Sequence, residues 1–407
     1  MGMAVASCLL LVGCTASTGA QPVATAFDGR ALEWERLPPS PLGARTQAAI
    51  ASVADLVFVA GGAPFVDECS ESGPACREVT PLADAAVFDT TSQQWQSIPV
   101  APVSFWHATT VVVDREIYVA AWDRDHVGVV LRYSVDEEQW TQLPFDDRGL
   151  EIARFGNTVV KYDAAAASGS VSMAALDLRT DEWVRLPPDP IGPSGGRSAL
   201  WSGQYLYVFA SATFDHISKF NPTFAVARFD PATWSWKRLP DSPFVTAFSW
   251  FVDGDRAVNP TIGCQDDAPN GKPEQCYPHG GIFDFTDETW QPLPDSGRPV
   301  EGFTLAAIGD TAAQYDPFPT ASSGSSAFPV ADIAGRQWVL LPSLGDDGAV
   351  RRQIVAAGLD PFVFGGIRLD GVEDNGLDDA WVLRLGRDPA TPALDQVDVA
   401  HRVAERT

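Results

Sequence analysis

The residues of this chain best suited to binding a ligand are arginines, tryptophans and one histidine. They are Arg45, Trp106, His107, Arg197, Trp250, Arg351 and Arg352. A guanidinium group binds carboxylates through paired hydrogen bonds, and an indole ring offers a large apolar face with one polar N–H. This mixture predicts a site for a sugar or a carboxylate. Trp250 lies in the apolar run of residues 247–251, so a buried core position is an open alternative for it.

Residues for catalysis or metal binding are few. The chain has five histidines, of which only His107 falls on a strand predicted to be innermost. Residues 370–376 resemble a calcium loop, but their spacing departs from the EF-hand pattern, and we interpret the segment as a solvated loop. No Ser-His-Asp set, phosphate loop or paired-carboxylate motif is recognisable. We therefore expect no metal and no cofactor.

The elements that position these residues follow from a sequence repeat. Seven tryptophans are each followed three residues later by Leu or Ile and then at once by Pro. They are Trp34, Trp95, Trp140, Trp183, Trp236, Trp290 and Trp338. Successive members lie 43 to 61 positions apart, and one tryptophan per unit of roughly 40–50 residues is typical of a β-propeller. We expect these tryptophans to pack between neighbouring units and assign none of them to a ligand.

The second unit shows what one repeat contains. Apolar, β-branched segments at residues 107–113, 116–121, 129–135 and 139–143 are separated by polar turns, and Pro144 ends the last segment. Four short segments without a helical period predict a four-stranded antiparallel sheet, whose strands we call a, b, c and d from the inside outward. Proline ends strand d because it has no N–H to donate, which suits the edge of a sheet.

The repeats resemble the kelch family. The resemblance rests on the Trp-x-x-Leu-Pro element and on glycine pairs that close strand b downstream of an arginine: Gly61-Gly62 with Arg45, and Gly365-Gly366 with Arg351 or Arg352. It covers about residues 31–385 and implies an all-β, kelch-type propeller. Kelch propellers include copper-radical oxidases of the galactose oxidase type and bacterial sugar mutarotases. No residue of the oxidase site can be assigned here, because that site needs two histidine ligands and a Cys-linked tyrosine, and only one histidine of this chain falls on a predicted inner strand. The mutarotase pocket has no short motif that could be matched.

The spacing of the repeats also suggests a role for His107. It stands 13 residues before Ala120, as Arg197 stands before Ala210 and Arg352 before Gly365. On this alignment His107 replaces a kelch-type arginine. Structural support at the mouth of the central channel and ligand binding are its two candidate roles.

The two ends of the repeat array predict how the ring closes. The first Trp-x-x-Leu-Pro element, at Trp34, has no strands a to c before it, and the last strand c, at residues 380–385, has no such element after it. Both defects disappear if residues 31–37 supply the outer strand of the blade formed by residues 350–385. We therefore expect seven blades of four strands, closed by pairing of both chain ends, which leaves no open edge. Six blades with two odd ends is the alternative.

The composition limits the classes of partner. The net charge of −25 disfavours nucleic acid and anionic membrane surfaces. Acidic residues occur in the loops at both ends of the predicted blades, so charge does not locate a site.

The N-terminus predicts export and lipidation. Residues 3–13 are apolar and too few to span a bilayer, and Leu11-Val12-Gly13-Cys14 resembles a bacterial lipobox. This implies a signal peptide at residues 1–13, lipidation of Cys14, a tether over residues 14–30, the propeller at 31–385 and a polar tail at 386–407. No Lys or Arg precedes the apolar run, so a plain secretory signal is the alternative.

The remaining cysteines fit an exported protein. Cys69 and Cys76 share one b–c loop, Cys264 and Cys276 share another, and each pair is predicted to form a local disulfide. A four-cysteine zinc site is disfavoured because the pairs belong to units one and five, which are not neighbours in the ring.

These inferences together predict a surface-anchored, extracytoplasmic binding module. We expect a monomer that touches the membrane only through its lipid and recognises a glycan, an envelope polymer or a protein. The binding surface would be the face that carries the d–a and b–c loops. The alternative is an extracellular carbohydrate-active enzyme, either a sugar oxidase or a mutarotase, although the sequence favours a non-catalytic role. The preference for carbohydrate rests on analogy of fold.

Overall fold

The computed structural model describes the chain from Trp34 to Arg384 with gaps. The described residues are 34–64, 79–145, 150–163, 173–212, 224–243, 250–259, 281–293, 304–308, 311–315, 328–332, 337–341, 344, 349–350, 352–358, 360–369 and 374–384. They form strands, turns and connecting segments. No helix in these ranges has the length and apolar character needed to cross a membrane.

Most of the described chain is organised in six sheets, each made of four consecutive, antiparallel strands. The chain enters them after a short strand, β1 (Trp34–Arg36). Sheet 1 contains β2 (Ala49–Val53), β3 (Leu56–Ala60), β4 (Ala85–Asp89) and β5 (Gln94–Ile98). Sheet 2 contains β6 (Trp106–Val113), β7 (Glu116–Trp122), β8 (Gly128–Ser134) and β9 (Gln139–Leu143). Sheet 3 contains β10 (Glu151–Phe155), β11 (Thr158–Tyr162), β12 (Ala174–Asp177) and β13 (Glu182–Arg185).

The next three sheets repeat this order. Sheet 4 contains β14 (Ser194–Trp201), β15 (Leu206–Ala212), β16 (Phe224–Asp230) and β17 (Ser235–Leu239). Sheet 5 contains β18 (Phe251–Asp253), β19 (Arg256–Asn259), β20 (Gly281–Asp284) and β21 (Thr289–Pro292). Sheet 6 contains β22 (Thr304–Ile308), β23 (Thr311–Tyr315), β24 (Phe328–Asp332) and β25 (Gln337–Leu341). The described chain is thus all-β, with four-stranded antiparallel sheets as in a propeller.

The last strands form a sheet that includes β1. Sheet 7 has the order β1-β31-β28-β27 and contains β27 (Gln353–Ala357), β28 (Asp360–Phe364) and β31 (Ala380–Leu383). A small three-stranded sheet contains β26 (Ala349–Val350), β29 (Ile367–Leu369) and β30 (Asp374–Gly376). The interpretation of residues 370–376 as a loop is therefore wrong for 374–376, which pair with β29.

Contacts between the chain ends hold β1 in sheet 7. β1 pairs antiparallel with β31, Trp34 opposite Leu383 and Arg36 opposite Trp381. The first strands of the sheets contact one another in chain order, from β2 and β6 through to β22 and β27, and β27 also contacts β2.

The burial of the strands reflects packing of one sheet on the next. In sheet 2 the five central residues of β7 are all buried, because this strand is covered on both faces. The outermost strand β9 is half exposed, with Trp140 packed toward sheet 1 and Leu143 toward sheet 3. Between sheets 1 and 2, Phe58 lies 5.4 Å from Tyr133 and 5.7 Å from Trp140 between ring centroids. The core is therefore distributed over the interfaces between sheets.

Candidate functional site

One end of the sheets carries the candidate residues. Each first strand begins at this end, and each second strand returns to it before the loop to the third strand. We call this end the loop face. In sheet 2 it carries Trp106 and His107 at the start of β6, Trp122 at the end of β7, and His126 in the loop that follows. The sequence predicted this face as the binding surface and named Trp106 and His107, but it gave His126 no role.

Trp106 is the centre of an aromatic cluster on the loop face. Its ring centroid lies 6.0 Å from that of His107 and 5.6 Å from that of His126, with interplanar angles of 75° and 85°. Both imidazoles are exposed, and Trp106 is half-buried. Trp106 is also paired across the hairpin with Trp122. The cluster combines apolar ring surface with polar ring nitrogens, as a site for a partly apolar, partly polar ligand requires.

A tight loop holds His126 in place. Asp123 Oδ1 accepts hydrogen bonds from the backbone N–H groups of Asp125 at 2.9 Å and Val127 at 2.8 Å. The backbone N–H groups of His126 and Asp123 donate to Asp123 O and Val127 O, respectively. His126 adopts a left-handed backbone with φ of 57°. The imidazole is therefore presented by a turn that four hydrogen bonds hold in place.

An open groove of about 510 Å³ lies beside this loop. Its lining residues are Asp123, Val127, Gly128, Val129, Gln142, Leu143, Pro144 and Phe145. A Cβ atom on Gly128 would lie 2.4 Å from Phe145, so glycine is needed for the phenyl ring to form this wall. The groove extends the candidate surface from the cluster toward the outer strand of sheet 2.

Arg45 and Arg352 are buried in ion pairs. Each side chain is 1% exposed. Arg45 donates to Asp84 at 3.1 and 2.8 Å and to Gly61 O at 2.9 Å. Arg352 donates to Asp379 at 2.7 and 3.3 Å and to the equivalent carbonyl of the glycine pair in sheet 7 at 3.0 Å. These guanidiniums thus bind the protein's own carboxylates and carbonyls at the start of strand c.

Arg352 perturbs the ionisation of its partner. Burial acts to raise the pKa of Asp379, but the hydrogen bonds and positive charge of Arg352 outweigh it. The pKa of Asp379 is consequently lowered, and the carboxylate stays charged opposite the guanidinium.

Arg197 is also directed into the protein, but it has a different partner. Its side chain and that of Asp189 are both fully buried and form an ion pair. Arg197 Nη1 also donates to Ser194 Oγ at 2.6 Å. The geometry therefore gives Arg197, like Arg45 and Arg352, a bonding role inside the fold, away from the aromatic cluster.

The remaining sequence-selected positions fall into two groups. Trp250 is 9% exposed and stacks on Phe209 with centroids 4.5 Å apart and 19° between the planes, which is the buried alternative raised from the sequence. Arg351 and the five cysteines at positions 14, 69, 76, 264 and 276 lie outside the described residues. Among the described residues, no group of three or more His, Cys, Asp or Glu side chains could hold a metal ion.

The structure corrects the alignment of His107 with the arginines. Arg197 and Arg352 immediately precede the first regular residue of their strand, Ser198 and Gln353, whereas in sheet 2 that place belongs to Ala108. The sequence spacing compared Ala120 with Ala210, but Ala120 is the partner of Thr109 and so corresponds to Phe209, the partner of Ser198; His107 therefore lies one residue further out than Arg197. Sheet 4 has the same register shift, between Gly195 and Ser198, so the offset comes from the pairing partners, which spacing alone does not give.

Polar side chains on the first strands were missed by the sequence reasoning. Thr109 Oγ1 donates to Glu151 Oε2 at 3.1 Å, joining sheets 2 and 3. Gln353 Nε2 donates to Ala48 O at 2.5 Å, joining sheets 7 and 1. Gln47 stands next to Ala48, and its Oε1 atom is buried without a hydrogen-bond partner. Comparison of unit starts would have found Gln47, which precedes Ala48-Ala49 as His107 precedes Ala108-Thr109.

Comparisons with known proteins add little to this geometry. No family model matches the chain, and no curated protein matches it. Among solved structures, one titled "Structure of YjhT" is similar at 16% sequence identity and a TM-score of 0.45. The similarity covers 87% of this chain and 98% of that one.

Proposed function

We propose that the chain is a seven-bladed kelch-type β-propeller closed by its own N-terminal strand. Three observations support this. β1 pairs with β31 in sheet 7, and β27 contacts β2 as well as β22. Trp95 of sheet 1 donates its indole N–H to Pro38 O, just after β1, in the way that Trp140 of sheet 2 donates to Pro99 O, just after β5. β1 thus takes the place of a fourth strand toward sheet 1.

The function that we propose is binding at the loop face. The protein would be an exported monomer, lipidated at Cys14, with local disulfides Cys69–Cys76 and Cys264–Cys276. It would recognise a glycan, an envelope polymer or a protein. The observation that carries this proposal is the partly exposed cluster of Trp106, His107 and His126 beside an open groove. Large aromatic side chains at partly exposed, concave positions are the usual anchors of ligand recognition.

Binding to envelope material tests this proposal. The full chain, purified in detergent, is incubated with purified cell-wall glycan and with envelope protein fractions, and the bound fraction is measured. We expect saturable binding to one of them, and a loss of about tenfold or more in affinity for Trp106→Ala. Trp234→Ala is the matched control, because Trp234 is exposed in the turn between β16 and β17, at the opposite end of the sheets. Equal binding by wild type and both variants would contradict the proposal.

An enzymatic role is the second candidate, and one arrangement favours it. Glu151 and Tyr162 are paired across the β10–β11 hairpin at the loop face. Burial raises the pKa of Tyr162, the charge of Glu151 raises it further, and a hydrogen bond with the backbone of Ala199 and the charge of Arg197 act in the opposite direction. A carboxylate beside a neutral phenol supplies one proton acceptor and one proton donor, which are the two groups that acid–base catalysis uses.

Sugar mutarotation tests the second candidate. The enzyme hypothesis predicts that the protein accelerates anomer exchange of reducing sugars, followed by NMR, and that Glu151→Gln abolishes the acceleration. Glu182→Gln, a change at an exposed residue of β13, should have no effect. An exchange rate equal to that of buffer would remove the enzymatic candidate and leave the binding module.

A further inference from the structure

Three first strands begin with the same unusual backbone. The residue two positions before the first regular pair of the hairpin is left-handed in sheets 1, 2 and 4, with φ of 53° at Gln47, 51° at His107 and 53° at Gly196. The first regular pairs of these hairpins are Ala49–Ala60, Thr109–Ala120 and Ser198–Phe209. The fold therefore sets this conformation at this position, whatever side chain stands there.

Glycine is the residue that the position favours. It adopts a positive φ without steric cost, whereas a side chain with a Cβ atom is strained there. Sheet 4 has glycine, but sheets 1 and 2 have glutamine and histidine. The other non-glycine residues with positive φ in the described ranges lie in turns or loops between strands: Ala54, Gln93, Asp114, His126, Glu138, Asp181, Trp234 and Glu288. Strained side chains that the fold does not need cluster at functional sites.

The starts of β2 and β6 are joined at Gln47 and the residue after His107. The backbone N–H of Ala108 donates to Gln47 O at 3.2 Å, which joins the starts of β2 and β6. Gln47 Oε1 is buried and accepts no hydrogen bond, although an unpaired buried acceptor is costly. His107 is exposed and stands edge-on to Trp106. The pair therefore offers a vacant acceptor and an imidazole next to an indole ring.

Further polar groups continue this row along the loop face. The amide of Gln353 lies on the side of sheet 7, and the hydroxyl of Thr109 with the carboxylate of Glu151 lies on the side of sheet 3. Four consecutive first strands, β27, β2, β6 and β10, thus begin with side chains that hydrogen-bond well to hydroxyl groups.

We propose that Gln47 and His107 bind a neutral carbohydrate on the loop face, with Trp106 packing against its ring. This inference rests on the proposed binding function and names its ligand class and two of its specificity-determining residues. A sugar combines hydroxyl donors, which Gln47 Oε1 lacks, with apolar C–H faces, which suit an indole. The net charge of −25 disfavours polyanionic glycans.

Glycine substitution separates a functional from a structural role. Gln47→Gly and His107→Gly remove the side chains but keep the residue type that sheet 4 uses with the same φ. A melting temperature equal to or above that of wild type is therefore expected for both. Asp114→Gly is the matched control: this residue is also left-handed, with φ of 54°, but lies in the β6–β7 turn at the opposite end of the sheet.

The full chain and the three variants are titrated calorimetrically with cellotetraose, maltotetraose and triacetylchitotriose, and their melting temperatures are measured. We expect wild type and Asp114→Gly to bind one of these oligosaccharides alike. Gln47→Gly and His107→Gly should bind it about tenfold more weakly without loss of melting temperature.

Three results would overturn the inference. A fall in melting temperature for both glycine variants would make Gln47 and His107 structural residues. Undiminished oligosaccharide binding by both would place the site elsewhere while leaving the proposed binding function intact. If wild type bound an envelope protein fraction but none of the three oligosaccharides, the ligand would be a peptide. Only failure to bind envelope material of either kind would also remove the proposed function.

Discussion

At the scale of single residues, the Trp-x-x-Leu-Pro element works as a hydrogen-bonded link between units. The indole N–H of four repeat tryptophans donates to the carbonyl of the proline that ends the preceding unit. The pairs are Trp95–Pro38 at 3.0 Å, Trp140–Pro99 at 2.8 Å, Trp183–Pro144 at 2.6 Å and Trp236–Pro187 at 2.7 Å. The sequence predicted packing for the tryptophans and a strand end for the prolines. It could not predict this bond, because the partners are 39 to 57 positions apart.

Trp290 provides a natural comparison for this bond. Its Nε1 atom is buried without a hydrogen-bond partner. Trp140→Phe should remove a hydrogen bond and ring area, whereas Trp290→Phe should remove ring area alone. We expect Trp140→Phe to lower the free energy of unfolding by about 1 kcal/mol more than Trp290→Phe, as measured by urea denaturation. Equal losses would mean that the indole–carbonyl bond contributes nothing to stability.

The ion pair of Arg352 and Asp379 predicts a pH dependence of stability. The pKa of Asp379 is lowered in the fold. Such a carboxyl stabilises the fold above its unfolded pKa of about 4, and this contribution is lost as the pH falls through the folded value. Asp379→Asn should therefore cost about 3 kcal/mol at neutral pH, since Arg352 remains buried without its counter-charge. The free energy of unfolding of the variant should also fall less steeply than that of wild type as the pH drops below about 4.

The exposed pair of Arg115 and Asp136 supplies the control. These side chains are 46% and 64% exposed, so Asp136→Asn should change stability by about 1 kcal/mol at most. If Asp379→Asn melted like Asp136→Asn at neutral pH, the buried pair would have no structural importance.

At the scale of strands, local patterns predict regular pairing well and irregular pairing poorly. In sheet 2 the predicted strand at residues 139–143 coincides with β9, the predicted strands for β6 and β7 are each one residue short at one end, and the one for β8 is shifted by one residue. Alternation and turn residues determine such hairpins locally. The bulge after Trp106 breaks the alternation inside its own hairpin, and β30 consists of Asp-Asn-Gly, which has the composition of a turn, so neither can be recognised from the sequence pattern.

The candidate site shows the same division. Aromatic residues at the start of β6 could be recognised from their position in the unit, and Trp106 and His107 do lie on the loop face. The arginines were selected by the same criterion, but Arg45 is buried against Asp84, 39 positions away. Whether a side chain faces a ligand or a distant carboxylate depends on a tertiary contact. Gln47 was missed because it is distinguished by its positive φ angle and its unpaired side-chain oxygen, and neither can be read from the sequence.

The strand β1 carries the prediction that belongs to this scale. Deleting residues 27–40 removes the outer strand of sheet 7, the buried Leu37 and the acceptor Pro38 of Trp95. Deleting residues 388–407 removes none of these contacts. The first truncation should therefore lower the melting temperature by several degrees more than the second, measured by circular dichroism. Equal melting temperatures for the two truncations would refute closure by β1.

At the scale of the whole molecule, the position of β1 determines how an anchored protein is held. β1 is the outermost strand of sheet 7. Cys14 precedes Trp34 by 20 residues, a length of chain that spans at most about 70 Å. A lipid on Cys14 would therefore be joined to the molecule through the outermost strand of sheet 7, which does not carry the aromatic cluster. Attachment through β1 and a binding site on the loop face are thus compatible in one molecule.

Lipidation of Cys14 is tested by its partition between detergent and water. One lipidated residue adds enough apolar surface to move a chain of net charge −25 into a detergent phase. Wild type should collect with the membrane and in the detergent phase. Cys14→Ser should be released, or should keep residues 1–13 uncleaved, as read by mass spectrometry. Cys8→Ser changes a cysteine inside the predicted signal peptide and should partition like wild type. If Cys14→Ser and wild type are exported in the same soluble form, the N-terminus is an ordinary secretory signal and the protein acts free of the membrane.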